Sequence, residues 1–409
     1  MPNTPNRVYR RRRLAVLGGL TAFITALAYL PLTLLAPIGP YTPSTIDFTT
    51  PETAAVELSW PSSSAVAIGA VGFPGVLASS GSADPLPIAS ITKVIGALVI
   101  LEAHPLTLGE SGPDIAFTET DVGYYWDYRA VLGSVEPVSA GLVLSEYQAL
   151  QASLISSANN YARSLGVWAF GSDAGFVTAT ADWLDRNGLH DTTVMEPTGL
   201  DPANRSTASD LLELGKLALA NPVVAEIVSM SSATLPVMGL IENSNKILGS
   251  VGVDGIKTGT LDEAGACLLF STDVEVGTES ITVVGVALGG ATHASQYPEV
   301  VALIDSLRDD FHSVPITAEG ESFGSYSTAW GQHADAVAEQ RRDVVVWGET
   351  PVTASVSLHP VALAAAGTEV GELLVMAGSD SFSIPLVLDV ELSDPGPLWR
   401  LSNPGRLAG

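Results

Sequence analysis

Apolar residues recur at helical spacing through the middle of the chain. Residues 94–101 are almost wholly apolar, which predicts a helix that enters the hydrophobic core. Prolines at positions 85 and 87 disfavour helix before this run, so Ser90 is predicted at the helix start. Apolar positions three and four residues apart predict more helices, at residues 144–157, 161–170, 176–187, 208–220 and 296–311.

Short apolar runs on both sides of this helical block predict β-strands. Residues 64–71 and 76–78 flank a turn that contains glycine and proline, which is typical of an antiparallel hairpin. Residues 267–271 and 281–288 predict two further strands after the helices. Strands at both ends of one segment favour a single sheet, so we predict an α/β (α+β) domain at residues 55–312, with its sheet flanked by helices.

The pattern changes after residue 312. Short β runs separated by glycine and serine follow, at residues 344–347, 352–358, 370–376 and 382–388. They predict a separate, small β-rich domain at residues 313–409. No cluster of ionisable residues stands out in it, so we expect a spacer or interaction role.

The first residues predict a membrane anchor. Residues 1–13 contain five arginines and no acid, and no charged residue follows until residue 47. Residues 14–36 are long and apolar enough to span a bilayer as a transmembrane helix, and the flanking arginines place residues 1–13 in the cytoplasm. Ala-Leu-Ala at 26–28 offers a signal-peptidase site as the alternative, but apolar residues continue past it, so we favour an uncleaved signal-anchor. Either way the folded part is exported, and the proline-rich residues 37–54 are predicted to be an extracellular linker.

Composition excludes several classes of function. The 409-residue chain has a net charge of −26 at pH 7, and beyond the basic tail it holds 13 basic against 44 acidic residues. Such a surface repels nucleic acid, so no nucleic-acid partner is expected. The single cysteine, Cys267, lies in an apolar run and is expected to be a buried small hydrophobe. The six histidines are scattered, so neither a metal site nor a cofactor is predicted.

Candidate chemistry begins with Ser-Ile-Thr-Lys at residues 90–93. Residues three apart lie on one helical face, so the Ser90 hydroxyl is predicted beside the Lys93 amine. A serine is a weak nucleophile until a neighbouring base takes its proton. A lysine can be that base only if burial or a nearby cation lowers its pKa. Ser90 is therefore the candidate nucleophile, and Lys93 is the candidate base.

Two further motifs supply the other polar groups. Ser-Ala-Asn at 157–159 begins 67 residues after Ser90, and Lys-Thr-Gly at 257–259 begins 100 residues after Ser157. The chain has four lysines against fourteen arginines, and two of those four stand in these motifs. Because lysine can be deprotonated and arginine cannot, this choice favours lysine chemistry. We therefore predict that the fold brings the three motifs together.

These stretches resemble the three motifs of the D-alanyl-D-alanine carboxypeptidases, the low-molecular-mass penicillin-binding proteins. They are Ala-Ser-Ile-Thr-Lys at 89–93, Ser-Ser-Ala-Asn-Asn-Tyr-Ala at 156–162 and Val-Asp-Gly-Ile-Lys-Thr-Gly-Thr at 253–260. Supporting stretches lie at residues 196–201, 206–210 and 243–248, with weaker similarity at 369–373 and 399–401. The resemblance implies a penicillin-binding/β-lactamase-like fold for the larger domain.

The resemblance also implies a mechanism. Ser90 attacks the substrate carbonyl, Lys93 takes the serine proton, and Ser157 relays a proton to the leaving D-alanine. The backbone N–H groups of Ser90 and Thr260 form the oxyanion hole. Water then releases the acyl-enzyme, and no metal or cofactor is needed.

The same resemblance implies that Asn159, Lys257, Thr258, Gly259 and Thr260 bind the substrate. Asn159 hydrogen-bonds Lys93 or the substrate amide. Lys257 and Thr258, followed by Gly259, hold the terminal carboxylate, and the charge of Lys257 also lowers the Lys93 pKa.

The implied partners are peptidoglycan stem peptides, with β-lactam antibiotics as covalent inhibitors. The implied location is the cell membrane, with a single N-terminal span and an extracellular catalytic domain. The anchor is a departure, since many members of this family use a C-terminal amphipathic helix instead.

Two alternatives stay open at this point. In a class A-like β-lactamase, a glutamate activates the water that releases the acyl-enzyme, and Glu196 lies 39 residues past Ser157. The other alternative is a catalytically inactive wall-binding homologue, against which the three intact motifs argue. Labelling with penicillin separates enzyme from inactive homologue, and rapid release of the drug indicates a β-lactamase.

Overall fold

The computed structural model describes residues 5–49 and 55–407, and of residues 5–7 it describes the backbone alone. The first four residues of the predicted basic tail, residues 50–54 of the predicted linker and residues 408–409 of the predicted C-terminal domain lie outside the described residues. The chain divides into two compact units, Val56–Phe311 and a second formed by Met1–Ala55 with His312–Gly409.

The helices of the described ranges are α1 (Pro5–Leu34), α2 (Thr92–Ala103), α3 (Glu119–Ala130), α4 (Glu146–Leu154), α5 (Asn159–Phe170), α6 (Asp173–Arg186), α7 (Ala208–Ala220), α8 (Pro222–Ser229), α9 (His293–Leu307) and α10 (Pro397–Ser402). The strands are β1 (Ser44–Thr45), β2 (Ala65–Ala70), β3 (Ala78–Gly81), β4 (Leu86–Pro87), β5 (Asp114–Ala116), β6 (Val143–Ser145), β7 (Arg205–Ser206), β8 (Ser232–Leu235), β9 (Gly239–Glu242), β10 (Val253–Leu261), β11 (Gly265–Val276), β12 (Glu279–Gly290), β13 (Phe311–Thr317), β14 (Ser322–Ser327), β15 (His333–Ala338), β16 (Arg342–Trp347), β17 (Val352–Leu358), β18 (Glu369–Ala377) and β19 (Asp380–Leu388). Short 3₁₀ turns lie at Ala89–Ile91, Arg308–Asp310 and Pro404–Arg406.

The larger unit is built on a five-stranded antiparallel sheet in the order β10-β11-β12-β2-β3. Strand β2, which comes first in the chain, pairs with β12 near the end of the unit, so that Ile68 lies opposite Gly285. This pairing closes one sheet from both ends of the segment, and the predicted α/β (α+β) class is confirmed. Helix α7 packs closely on the sheet, because a Cβ on its Gly215 would lie 2.5 Å from Val284 Cγ1.

Helix α2 runs through the core of this unit. Every residue from Thr92 to Leu101 is buried, as the uninterrupted apolar sequence predicts for a helix surrounded by protein. Glycines allow its neighbours to approach: Cβ atoms on Gly96 and on Gly166 of α5 would lie 3.4 and 3.0 Å from the Phe176 ring. Helix α2 is therefore closely packed against α5 and the Phe176 ring.

Several elements differ from the predicted ones for local reasons. The helix predicted at 144–157 ends at Leu154, because the chain turns at Ser157 with a φ of 62° before α5 begins. Helix α3 escapes prediction, because none of its residues is buried and it therefore lacks an apolar stripe. Strand β10 escapes prediction too, since two glycines and a lysine interrupt its apolar pattern.

The second unit contains a six-stranded sheet in the order β1-β14-β15-β19-β18-β17 and a two-stranded sheet of β13 and β16. Its core includes Tyr326, Leu373 and Leu386, which are fully buried. The four predicted β runs fall within β16, β17, β18 and β19. Strands β14 and β15 are not evident from the sequence, because serine and glycine in the first and polar residues in the second weaken their pattern.

Part of the predicted linker is built into this second unit. Ser44 and Thr45 pair with β14, and Tyr41 bridges to Val361. Ile38 and Tyr41 are buried beside Leu407. Residues 38–45 are therefore not a free spacer, because their apolar side chains and backbone groups find partners in the β-rich unit.

Helix α1 contains the predicted anchor. Its segment Val8–Leu34 is long and apolar enough to cross a membrane, by length and composition. The end of the helix and the residues after it contact the C-terminal part of the same unit, where Tyr29 Oη donates to Leu401 O at 2.7 Å and Arg400 Nη1 donates to Ala36 O at 2.6 Å. Most of its apolar side chains are exposed, as a bilayer-facing helix requires.

Candidate active site

Ser90 and Lys93 meet at the start of α2. Lys93 is 1% exposed, and its Nζ lies 2.8 Å from Ser90 Oγ and 2.7 Å from the carbonyl oxygen of Thr198, to which it donates. Burial lowers the pKa of Lys93 well below its ordinary value, and the charge of Lys257 lowers it further, while Glu196 opposes the shift. A neutral amine at this position can accept the Ser90 proton.

The turn that carries Ser90 is held in an unfavourable conformation. Ala89 has a φ of 45°, in the left-handed region that costs a residue with a side chain about 1–3 kcal/mol. A Cβ on Gly199, whose φ is 87°, would lie 1.9 Å from Ala89 O, so only glycine fits between the two segments. Gly199 therefore fixes the nucleophile turn and, through neighbouring Thr198, the Lys93 amine.

We expect the Gly199→Ala substitution to reduce the rate of acylation by a fluorescent penicillin by about 10²-fold, because a small displacement of reacting groups has effects of that size. The matched control is Gly188→Ala, since Gly188 has a φ of 73° but open space within 4 Å of where the added methyl group would lie. Both substitutions strain the backbone, but only Gly199→Ala places a methyl group against the turn that carries Ser90. Equal acylation rates in the two variants would contradict this role of Gly199.

Glu196 organises the loop that carries Thr198 and Gly199. Its carboxylate accepts hydrogen bonds from Thr198 N at 2.7 Å, Thr198 Oγ1 at 2.6 Å and Gly199 N at 2.6 Å. Asn204 Nδ2 donates a further hydrogen bond at 3.0 Å. The oxygens of this carboxylate are therefore occupied by the loop itself.

Ser157 lies in the break between α4 and α5, and Asn159 is the first residue of α5. Both are buried, and Ser157 has a left-handed φ of 62°. Asn159 Oδ1 is buried without a hydrogen-bond partner among the described residues, whereas the hydrogen bonds found for Lys93 go to Ser90 and Thr198. Of the two predicted roles of Asn159, this arrangement favours the substrate amide, since a buried unpaired acceptor needs a donor.

Strand β10 carries Lys257 and Thr258. Lys257 is 1% exposed, and burial lowers its pKa to about 7. Ser244 Oγ accepts a hydrogen bond from Lys257 Nζ at 3.3 Å and lies 2.7 Å from Thr258 Oγ1. Ser244 N also donates to Ile155 O at 3.1 Å, so this serine joins β10 to the segment that precedes Ser157.

Gly259 and Thr260 continue β10 past the nucleophile. A Cβ on Gly259 would lie 2.9 Å from Ser90 N, so this approach of strand to turn requires glycine. Thr260 Oγ1 lies 2.9 Å from His293 Nε2, and burial lowers the pKa of His293. A histidine with a lowered pKa is neutral at pH 7, so it contacts Thr260 without adding a charge.

Sequence reasoning misses two of these residues. Ser244 lies within the supporting stretch 243–248, in which the sequence alone assigns it no role. His293 is one of the scattered histidines, and its position becomes evident only when α9 and β10 are brought together. The sequence signals the site through the two motifs that contain Lys93 and Lys257, and these motifs do not point to Ser244 or His293.

Cys267 and the possible metal ligands are the other candidate features of the sequence. Cys267 is fully buried, and burial raises the pKa of its thiol to about 11, so it packs as a small hydrophobe. In the parts of the chain that the structure describes, no group of three or more His, Cys, Asp or Glu residues could hold a metal ion.

Comparison with known proteins shows the family to which the chain belongs. The candidate site combines Ser90 with two buried lysines, Lys93 and Lys257. The family model for D-alanyl-D-alanine carboxypeptidase, Peptidase_S11, matches residues 52–289, which is more than half of the chain. The chain therefore belongs to the D-alanyl-D-alanine carboxypeptidase family, and the resemblance drawn from the sequence is confirmed.

Two curated relatives illustrate the range of the family. A D-alanyl-D-alanine endopeptidase of Pseudomonas aeruginosa is 32% identical over 216 residues, covering 51% of this chain and 66% of the relative. The D-alanyl-D-alanine carboxypeptidase DacB2 of Mycobacterium tuberculosis is 32% identical over 187 residues, covering 44% of this chain and 59% of the relative. The matches thus span less than two thirds of the length of each of these relatives.

A solved structure supports the fold over most of the chain. The peptidoglycan synthesis regulatory factor (PBP3) of Streptococcus pneumoniae superposes with a TM-score of 0.62 at 23% identity. The match covers 81% of this chain and 99% of that one. The predicted penicillin-binding fold, with helices around the sheet and a β-rich C-terminal part, is confirmed.

Proposed function

We propose that this protein is a serine-type D-alanyl-D-alanine carboxypeptidase, which removes the terminal D-alanine from peptidoglycan stem peptides through an acyl-enzyme. The observation that carries the proposal is the buried Lys93 amine, 2.8 Å from Ser90 Oγ. Lys257, buried in the same site, lowers the Lys93 pKa. Family membership supports the same reaction.

Acylation begins when Ser90 Oγ attacks the carbonyl of the penultimate D-alanine and Lys93 takes the serine proton. The oxygen that becomes negative is stabilised by the N–H groups of Ser90 and Thr260, each worth roughly 10²–10³ in rate. Lys93 passes this proton through the Ser157 hydroxyl to the nitrogen of the leaving D-alanine, which breaks the peptide bond and leaves Lys93 neutral again. Water then attacks the ester, and Lys93 is the base for this second step as well.

Substrate binding falls to the residues around this centre. Asn159 Oδ1 accepts the substrate amide N–H. Lys257 and Thr258 bind the terminal carboxylate with Ser244 orienting both, and Gly259 lets this strand approach the nucleophile turn.

The β-lactamase alternative is disfavoured by Glu196. A glutamate that activates water needs a free carboxylate oxygen, and the oxygens of Glu196 accept hydrogen bonds from Thr198, Gly199 and Asn204. The geometry of Ser90 and Lys93 argues equally against an inactive wall-binding homologue. We expect a stable acyl-enzyme with penicillin, which β-lactam antibiotics form as covalent inhibitors.

The test is the release of free D-alanine from a peptide that ends in D-alanyl-D-alanine. We expect release by the full chain in detergent, and none by the Ser90→Ala variant. Because one relative is named an endopeptidase, the assay includes a cross-linked peptide dimer. Cleavage of the dimer alone would contradict the proposed carboxypeptidase.

We further propose that α1 is a signal-anchor, with residues 1–13 in the cytoplasm and the catalytic unit outside the cell. The five arginines before the apolar segment support this orientation. Protein fractionated from cells is expected in the membrane pellet, with Arg10 to Arg13 retained at its N-terminus. A soluble extracellular form that begins at Tyr29 would show that the alternative, cleavage after residues 26–28, is correct.

A further inference from the structure

The segment that follows α3 borders the candidate site beside Asn159. The Asn159 N–H donates to Ser134 O at 2.8 Å. A Cβ on Gly133 would lie 2.6 Å from Asn159 Nδ2 and 3.3 Å from Leu200 Cδ1. Leu200 follows the glycine that supports the nucleophile turn. The end of α3 is thus continuous with the residues assigned to substrate binding.

Large apolar side chains project into solvent on α3 and directly after it. Trp126 is 59% exposed, Val131 is 65% exposed and Leu132 is 95% exposed. Leu132 also has a φ of 59°, in the left-handed region that favours glycine. Folding gains nothing from an exposed leucine in a strained conformation, and strain of this kind is common at binding sites.

Arg129 stands within this apolar group. Its guanidinium lies 5.4 Å from the centre of the Trp126 ring and 5.7 Å from that of Tyr125, and it donates to Tyr125 Oη at 2.5 Å. Stacking on aromatic rings orients a guanidinium, and the donors other than the one to Tyr125 stay available.

Arg129 has no carboxylate partner among the described residues. Other arginines of the folded units form ion pairs: Arg163 with Asp173, Arg186 with Glu102, Arg308 with Asp305, Arg341 with Asp343 and Arg400 with Asp394. Arg205, Arg342 and Arg406 also lack an ion pair among the described residues, and Arg129 differs from them in stacking on two aromatic rings. A stacked, unpaired guanidinium fits a carboxylate of a ligand.

We propose that Trp126, Arg129 and Leu132 form a subsite for the acyl half of the peptide substrate. Arg129 binds a side-chain or α-carboxylate in the residues before the scissile bond, and the two apolar side chains pack on the aliphatic part of the stem. The inference rests on the proposed function, in which Lys257 takes the other carboxylate, that of the terminal D-alanine. Arg129 and Lys257 then each bind one carboxylate of the same acidic peptide.

The test compares two peptides that both end in D-alanyl-D-alanine. The short one, diacetyl-L-lysyl-D-alanyl-D-alanine, has no carboxylate before the scissile bond. The longer one, L-alanyl-γ-D-glutamyl-L-lysyl-D-alanyl-D-alanine, carries the free glutamyl carboxylate. We expect Arg129→Gln to lower kcat/KM for the longer peptide about three- to tenfold, the range of a partly exposed charged hydrogen bond, and to leave the short peptide unaffected.

Two controls isolate the charge. Amidating the glutamyl carboxylate should lower kcat/KM of the wild type by a similar factor and add little to the loss in Arg129→Gln. The Arg341→Gln variant removes the same charge from the other unit of the chain and should change neither peptide.

Leu132→Gly provides a second, independent readout. Glycine adopts a φ of 59° without strain, so we expect a higher Tm together with a lower kcat/KM for the longer peptide. A residue with only a structural role would show the change in Tm without the change in kcat/KM.

The outcomes separate the subsite from the proposed function. Equal losses on both peptides, or none on the longer one, would overturn the subsite and leave the carboxypeptidase intact. If the wild type cleaved neither peptide, the proposed function would fall. Calorimetric binding of the longer peptide to Ser90→Ala, with and without Arg129→Gln, would then decide the subsite by itself, since binding weaker by about three- to tenfold is expected only if Arg129 binds the peptide.

Discussion

The Lys93→Arg variant should lose acylation by a fluorescent penicillin by about 10²–10⁴-fold, the usual contribution of a general base. Arginine keeps a cation beside Ser90 Oγ but cannot give up its proton at any pH the protein tolerates. The lysine is suited to the task because burial and the charge of Lys257 lower its pKa. The rate of labelling, followed on a gel over time, measures the loss.

Lys216→Arg is the matched control for this experiment. Lys216 forms an ion pair with Glu213 at 2.9 Å and donates to Phe73 O, so it makes ordinary structural contacts. We expect that control to label at the wild-type rate. If Lys93→Arg folded normally, as judged by circular dichroism, and also labelled at nearly that rate, Lys93 would be a counter-charge and not the base.

The Lys257→Gln variant should lower kcat/KM about ten- to hundredfold for a peptide that ends in D-alanyl-D-alanine. A hydrogen bond between an ammonium and a carboxylate is worth about 1.5–3 kcal/mol, and each 1.4 kcal/mol is tenfold. The loss is larger if removing this charge also raises the Lys93 pKa.

Amidation of the peptide's terminal carboxylate isolates the contact with Lys257. The amide should impose a similar loss on the wild type and add little further loss in Lys257→Gln, because each change removes the same pair. Two losses that simply multiplied would show that another cation, such as Arg205, binds the carboxylate.

The pH dependence of the wild type follows from the same lysine. Lys257 binds the carboxylate in its protonated form, and its pKa in the free enzyme is lowered to about 7. Raising the pH through 7 therefore removes the cation, and kcat/KM, which reports groups of the free enzyme, should fall. At low pH the opposite limb appears, because Lys93 gains a proton and stops acting as a base. The amidated peptide should lack the fall above pH 7.

The local part of the site can be predicted from the sequence. Ser90 and Lys93 are three residues apart at the start of an apolar helix, and helical geometry alone brings their side chains together. Among the four lysines, Lys257 is then distinguished by its Lys-Thr-Gly motif. Neither inference requires knowledge of distant contacts.

The remainder depends on packing between distant segments. Strand β10 has glycines where an ordinary strand has side chains. At Gly259 the nucleophile turn is the reason, because a Cβ atom added there would lie 2.9 Å from Ser90 N. Ser244 and His293 have roles in the site because they contact β10. The Glu196 carboxylate has its role because it accepts hydrogen bonds within its own loop. An exposed helix such as α3 has no apolar stripe, so periodicity does not reveal it.

The central claim is that Ser90 is the nucleophile of an acyl-enzyme. Mass spectrometry of peptides from penicillin-treated protein tests it most directly. We expect the mass of one intact penicillin on the peptide that contains Ser90, and no adduct in the folded Ser90→Ala variant. An adduct that persisted in that variant, or one found on Ser157 in the wild type, would contradict the assignment.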